Sequence, residues 1–180
     1  MKALVVERKN LKHNLKIIKE IINKDEKKTR IIAVIKGNGY GLGLVEYAQF
    51  LIDNGIDFLA VATTEEAIIL RENGITKDIL MMSSTTVERD IELLIQNKII
   101  LTVGSKEAGD VIEKIAKKLD KKIKVHLKID TGFGRYGFIY NKKEEMVDII
   151  KSWKNIQIDG VFSHFSIAFY GNGKESKEQF

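Results

Sequence analysis

The chain has 180 residues, a formal net charge of +5, 14 glycines, no cysteine and no proline. Its length suits one ordinary domain of about 100–150 residues and little more, and the lack of cysteine excludes disulfide frameworks, thiolate zinc sites and cysteine nucleophiles. The charge rests on 25 lysines against 5 arginines, with the densest run, Lys117-Lys118-Leu119-Asp120-Lys121-Lys122, at the end of a predicted helix, where lysines complement the helix dipole; no nucleic-acid partner is expected. The apolar start of the chain is broken by Glu7 and Arg8, and nothing later approaches the ~18 apolar residues of a membrane span. A cytoplasmic protein without a membrane partner or a metal site is therefore expected.

In chain order, Asn10 is the expected N-cap of a first helix that carries Leu11, Leu15, Ile18 and Ile22 at helical spacing. Residues 31–36 form a β-branched run without helical period and predict a buried strand. A helix over 44–53 closed by Asn54-Gly55, a strand over 58–63 and a helix over 64–73 closed by Gly74 follow. Further strands are expected over 78–83, 99–103, 122–130 and 156–164, with helices over 87–96, 106–119 and 144–153 between them. Six strands alternating with helices define an α/β protein built from parallel βα units.

Alternation along the strands separates a barrel from a doubly wound sheet. In the fifth strand Ile123, Val125, Leu127 and Ile129 share one face, while Lys124, His126, Lys128 and Asp130 share the other. In the sixth, Ile158, Gly160, Phe162 and His164 are expected on one face. A sheet covered by helices on both sides does not easily accept a Lys-His-Lys-Asp face, which favours a barrel over a doubly wound sheet. A (β/α) TIM-type barrel does: its polar faces point inward, and Lys36, Lys128, Asp130 and His164 approach its mouth from different strands. Each has a plainer alternative: a solvated strand-end lysine, a buried Lys128–Asp130 ion pair, a core histidine.

Two glycine-rich segments directly follow predicted strands: Gly37-Asn38-Gly39-Tyr40-Gly41-Leu42-Gly43 and Thr131-Gly132-Phe133-Gly134-Arg135-Tyr136-Gly137. Neither has the spacing of a dinucleotide fingerprint or a P-loop. A lysine set in a dry mouth beside an arginine such as Arg135 loses hydration of its ammonium form, which suits an amine that adds to an aldehyde cofactor or a carbonyl substrate. His164 offers a ring for a planar cofactor, and Tyr40 offers a hydroxyl for a phosphate.

The run Ala33-Val34-Ile35-Lys36-Gly37-Asn38-Gly39-Tyr40-Gly41-Leu42-Gly43 resembles the pyridoxal-phosphate lysine signature of the alanine racemase family. His126-Leu127-Lys128-Ile129-Asp130-Thr131-Gly132-Phe133-Gly134-Arg135-Tyr136-Gly137 and Gly160-Val161-Phe162-Ser163-His164-Phe165 resemble its second and third motifs, in order and at matching separation. The resemblance implies that Lys36 holds pyridoxal 5'-phosphate and acts as one of two catalytic bases. Tyr40 would contact the cofactor phosphate, Arg135 the substrate carboxylate and the cofactor's phenolic oxygen, and His164 the pyridine ring. Lys128 matches a position that is often carbamylated, where a carbamate would hold Arg135. Implied with these are interconversion of L- and D-alanine for cell-wall D-alanine supply, and a homodimeric full-length protein.

Gly37 and Gly39 stand where the family usually has alanines, Leu42 replaces a usual histidine, and Phe165-Ser166-Ile167-Ala168-Phe169-Tyr170 replaces the usual acidic continuation after His164. Another amino acid as substrate, or a non-catalytic pyridoxal-phosphate carrier or regulatory barrel, are the competing expectations. A complete barrel has eight strands in about 250 residues. Residues 1–180 are therefore expected to be the truncated N-terminal cofactor-binding barrel of a longer, two-domain racemase. Such a piece is expected to be inactive by itself and prone to self-association.

Overall fold

In a computed structural model, residues 5–24, 29–168 and 173–179 are described. The first helix, α1 (Arg8–Ile22), begins two residues before the expected cap. The carbonyl of Glu7, in extended conformation, accepts the amides of Asn10 (3.0 Å) and Leu11 (3.3 Å), so Glu7 is the N-cap. Asn10 lies inside the first turn, where its side-chain amide donates to Glu7 Oε2 at 3.2 Å.

Strand β1 (Ile32–Val34) is shorter than the apolar run because the chain leaves extended geometry at Ile35. It enters α2 (Lys36–Tyr40), a single turn of left-handed hand: φ is 62° at Gly37, 54° at Asn38, 63° at Gly39 and 55° at Tyr40. Left-handed helix costs an L-residue roughly 1–2 kcal/mol. Glycine escapes that cost and asparagine reduces it, so the Gly-Asn-Gly order leaves Tyr40 as the strained member.

The alternation then runs as expected: α3 (Leu44–Asp53), β2 (Phe58–Val61), α4 (Thr64–Glu72), β3 (Asp78–Met81), α5 (Glu88–Gln96), β4 (Leu101–Val103), α6 (Lys106–Lys118) and β5 (Ile123–Asp130). Thr63 caps α4 by accepting the Glu66 amide at 3.2 Å, and Ser105 caps α6 by accepting the Ala108 amide at 3.3 Å. A two-residue strand, β6 (Phe138–Ile139), pairs with the end of β5, followed by α7 (Lys143–Ser152), β7 (Ile156–Phe162) and α8 (Lys174–Gln179).

Among the described residues, all strand pairs are parallel. β1 pairs with β2 and β2 with β3; a bridge between Leu80 and Ile100 carries the sheet to β4, which pairs with β5, and β5 with β7. The apolar residues divide into two layers. The larger lies between strands and helices, with Leu59, Val61, Ile79, Val125 and Leu127 facing Leu70, Ile91, Leu94, Ile112 and Ile115. The smaller joins Phe58, Ala60, Leu80 and Ile100 with Val34, Met82 and Phe162, contributed by different strands. Inner faces that pack on one another instead of on helices define the arc of a (β/α) barrel, the α/β architecture expected from the polar face of β5.

The sequence periodicity misplaces Ile158. The register shifts by one between Val125 and His126: Val125 pairs with Ile158, but His126 pairs with Gly160. Asp159 is the extra residue of this irregularity. It moves Ile158 opposite outward-facing Val125 while keeping Gly160 and Phe162 opposite His126 and Lys128. Gly160 is required where it stands, because a Cβ there would fall 2.6 Å from His126 Cε1.

Candidate functional site at the barrel mouth

Three segments meet beyond the C-terminal ends of the strands: α2 after β1, the loop 131–137 after β5, and the residues following β7. Lys36 and Arg135 line a common cavity of about 510 Å³, with Tyr136, Gly104 and the hydroxyl residues Ser83, Ser84, Thr85, Thr86 and Ser105 on its walls. Two cations line it and no carboxylate does, so it favours an anionic ligand. Tyr40 is not part of this wall; it is 63 % exposed, in the same turn as Lys36.

The arginine loop is held from inside by Asp130. Its Oδ1 accepts the amides of Gly132 (2.9 Å) and Gly134 (3.1 Å), and Oδ2 also accepts Gly134 at 3.0 Å. These backbone amides hold the carboxyl below the usual carboxylate range. The Lys128–Asp130 ion pair left open by the sequence is thus not the role of Asp130. Lys128, 2 % exposed, donates from Nζ to the carbonyl of Ile129 at 2.7 Å. Burial pushes its amine below the ordinary lysine value; Arg135 adds to this and Asp130 opposes it.

Tyr136 locks the same loop to the neighbouring strands. Its hydroxyl donates to the carbonyl of Met82, and its ring rests on Gly104, where a Cβ would lie 2.7 Å from Tyr136 Cδ2. Lys128 Nζ and the Arg135 guanidinium flank this one ring at 5.6 Å and 5.8 Å. Phe133 joins the other end of the site: Arg135 lies over its ring at 4.6 Å, and His164 meets it edge-on with centroids 4.7 Å apart. Burial pushes the His164 imidazole below its ordinary value, and so do the charges of Arg135, Lys128 and Lys36. His164 is therefore not a core histidine but an exposed ring within electrostatic reach of all three cations.

Lys36 and Arg135 thus line one cavity, Lys128 shares the Tyr136 ring with Arg135, His164 meets the Phe133 ring, and Tyr40 lies in the Lys36 turn outside the cavity wall. Sequence reasoning missed Glu66, which bonds to the Lys36 turn, and the anchoring part of Tyr136. Their partners lie 28 and 54 residues away, beyond any local pattern. Among the described residues, no group of three or more His, Cys, Asp or Glu is arranged to hold a metal ion.

A barrel whose strand ends carry a lysine and an arginine on the wall of a carboxylate-free cavity has the donor set for an anionic ligand. The family profile described as "Alanine racemase, N-terminal domain" matches residues 6–180, and the chain belongs to that family. It is 42 % identical over 159 residues to an alanine racemase of Methanococcus maripaludis, covering 88 % of this chain and 42 % of that protein. Among solved structures, alanine racemase of Clostridium difficile 630 matches with a TM-score of 0.81 and 40 % identity, over 90 % of this chain and 43 % of that one. Alanine racemase of Bacillus anthracis, solved with bound L-Ala-P, matches with a TM-score of 0.82 and 32 % identity, over 97 % and 44 %. The chain thus spans less than half the length of the relatives it matches.

Proposed function

We propose that these residues are the N-terminal, pyridoxal-phosphate-binding barrel portion of an alanine racemase that interconverts L- and D-alanine. The observation that carries the proposal is that Lys36 and Arg135, from two separate strand ends, line one cavity without a carboxylate, while His164 from a third meets the Phe133 ring that Arg135 lies over. The groups present suit the cofactor: an amine for its aldehyde, the Tyr40 hydroxyl for its phosphate, and an exposed imidazole for one face of its ring. Bound there, pyridoxal phosphate supplies an electron sink for the substrate α-carbon.

Lys36 Nζ holds the cofactor and moves the α-proton on one face, and a second base acts on the other. Arg135 orients the substrate carboxylate, with its guanidinium kept in place by Phe133 and by a loop tied down at Asp130 and Tyr136. Lys128 has the buried amine that carbamylation needs: Nζ adds to the carbon of dissolved CO2 and releases a proton to solvent, and the resulting anion would sit beside the Arg135 cation. Labelled bicarbonate would give a carbamate carbon signal lost in Lys128→Ala. Localisation in the cytoplasm, a role in D-alanine supply and a homodimeric full-length assembly belong to the same proposal; among the described residues no helix is long and apolar enough to cross a membrane.

Titration with pyridoxal phosphate tests the cofactor directly. A visible absorption band is expected with this chain and is expected to vanish in Lys36→Ala. No band, or an equal band in Lys36→Ala, would sink the proposal. Exchange of the alanine α-proton with solvent deuterium, measured on the full-length protein, then separates a racemase from a non-catalytic carrier.

A further inference from the structure

Glu66 lies in the first turn of α4, and its carboxylate is divided between two backbone amides from different parts of the chain. Oε1 accepts the N–H of Asn38 at 3.2 Å, and Oε2 accepts the N–H of Ala62, just past the end of β2, at 3.1 Å. Asn38 is the central residue of the left-handed turn that carries Lys36 and Tyr40. The turn's other bonds stay close to home: Gly39 N–H to Ile35 O (2.9 Å), Gly41 N–H to Gly37 O (3.1 Å), and Leu44 N–H to Asn38 Oδ1 (2.9 Å). Among the described residues, Glu66 is the one side chain outside this local segment that bonds to the turn.

That matters because packing holds the turn mainly at Gly39, which is buried against Tyr47 and Leu44 of α3. Gly37 and Gly41 have no neighbour within 4 Å of where a Cβ would stand, so packing does not grip them. Asn38 and Tyr40 hold a hand that L-residues resist. A carboxylate accepting backbone N–H groups makes bonds stronger than neutral ones. Here it ties the turn to the C-terminal end of the neighbouring barrel strand.

We propose that Glu66 is a positioning residue for Lys36 and Tyr40. It fixes the left-handed turn against β2 and thereby sets how tightly the mouth takes pyridoxal phosphate. This rests on the proposal that Lys36 and Tyr40 hold that cofactor. Glu66 touches neither cofactor nor substrate and acts through the backbone of Asn38.

The test uses the 180-residue chain, pyridoxal phosphate as the probe, and three variants. Glu66→Gln keeps the shape but presents one carbonyl oxygen where two acceptors are needed; Glu66→Ala removes both. Thr63→Ala removes the cap bond to the Glu66 amide and so weakens the same helix, but leaves the Glu66 carboxylate and its two acceptors in place. Expected are a dissociation constant raised roughly tenfold in Glu66→Gln and more in Glu66→Ala, with Thr63→Ala close to wild type. Without cofactor, the amides of Asn38, Gly39 and Gly41 are expected to exchange hydrogen roughly tenfold faster in Glu66→Gln, while those of Ile112 and Ile115 in α6 stay unchanged. Unaltered uptake in both Glu66 variants, unaltered exchange at the turn, or an equal loss of affinity in Thr63→Ala would each overturn the proposal. Should the wild-type chain itself take up no cofactor, the cofactor assignment falls, and amide exchange at the turn still decides whether Glu66 anchors it.

Discussion

His126 stands on the inner face of β5, its ring edge-on to Phe58 with centroids 5.8 Å apart. Burial pushes its imidazole below 6.5, and the facing Asp159 opposes that shift. Lys124, paired with Asp159 at 3.4 Å, and Lys128 and Asp130 share its face of β5, and Arg30 stacks over Phe58 at 4.6 Å. A histidine with a lowered folded value takes up its proton more readily in the unfolded chain. Its effect is absent above about pH 6.5, and stability falls as the pH drops below that toward the folded value, by at most about 1.4 kcal/mol per pH unit. Thermal unfolding between about pH 8 and pH 5 is expected to show a shallower loss in His126→Phe than in the wild type; parallel profiles would refute it. The histidine was legible in the sequence as one of an inward polar row. That it is a buried wall of the barrel and no part of the mouth depends on Phe58 and Gly160, which arrive from other strands.

At the scale of elements, the alternation of strands and helices follows from hydrophobic period and cap residues, which act within a few positions. The contacts between elements do not. Gly109 on α6 illustrates this: a Cβ there would fall 2.0 Å from Trp153 Cζ2, and the indole N–H donates to Asp110 Oδ1 at 2.9 Å. One turn further on, Glu113 accepts the amides of Lys154 (2.9 Å) and Asn155 (2.8 Å), so α6 grips the connection into β7. Helix propensity alone favours alanine over this mid-helix glycine by about 1 kcal/mol. Displacing a packed indole costs more, and Gly109→Ala is expected to lower stability by about 1–3 kcal/mol in urea unfolding; a stabilised variant would show that Trp153 moves freely. The left-handed turn and the short β6 escaped prediction for a related reason. Glycine spacing signals a turn but not its hand, and two residues of strand carry no period.

Over the whole molecule, β1 and β7 each have one edge unpaired among the described residues, and apolar side chains flank both. Ile32 is 38 % exposed beside one edge; Ile158 and Val161 are 38 % and 61 % exposed beside the other. Unpaired edges with apolar neighbours template association. The isolated 180-residue chain is expected to self-associate as its concentration rises, and sedimentation should show Val161→Lys shifting the population toward monomer. A wild-type chain that stays monomeric throughout would refute this. By itself the sequence determined the α/β class and the six barrel strands, and it singled out Lys36, Tyr40, Lys128, Arg135 and His164. Those features rest on alternation and local motif, which are written in neighbouring residues. Only the tertiary structure decided that Asp130 holds the arginine loop and not Lys128, that Ile158 faces outward past an irregular Asp159, and that Glu66 and Tyr136 brace the site. Each of these depends on hydrogen bonds or close approaches between side chains and backbone that folding brings together, and no local pattern records which groups will meet.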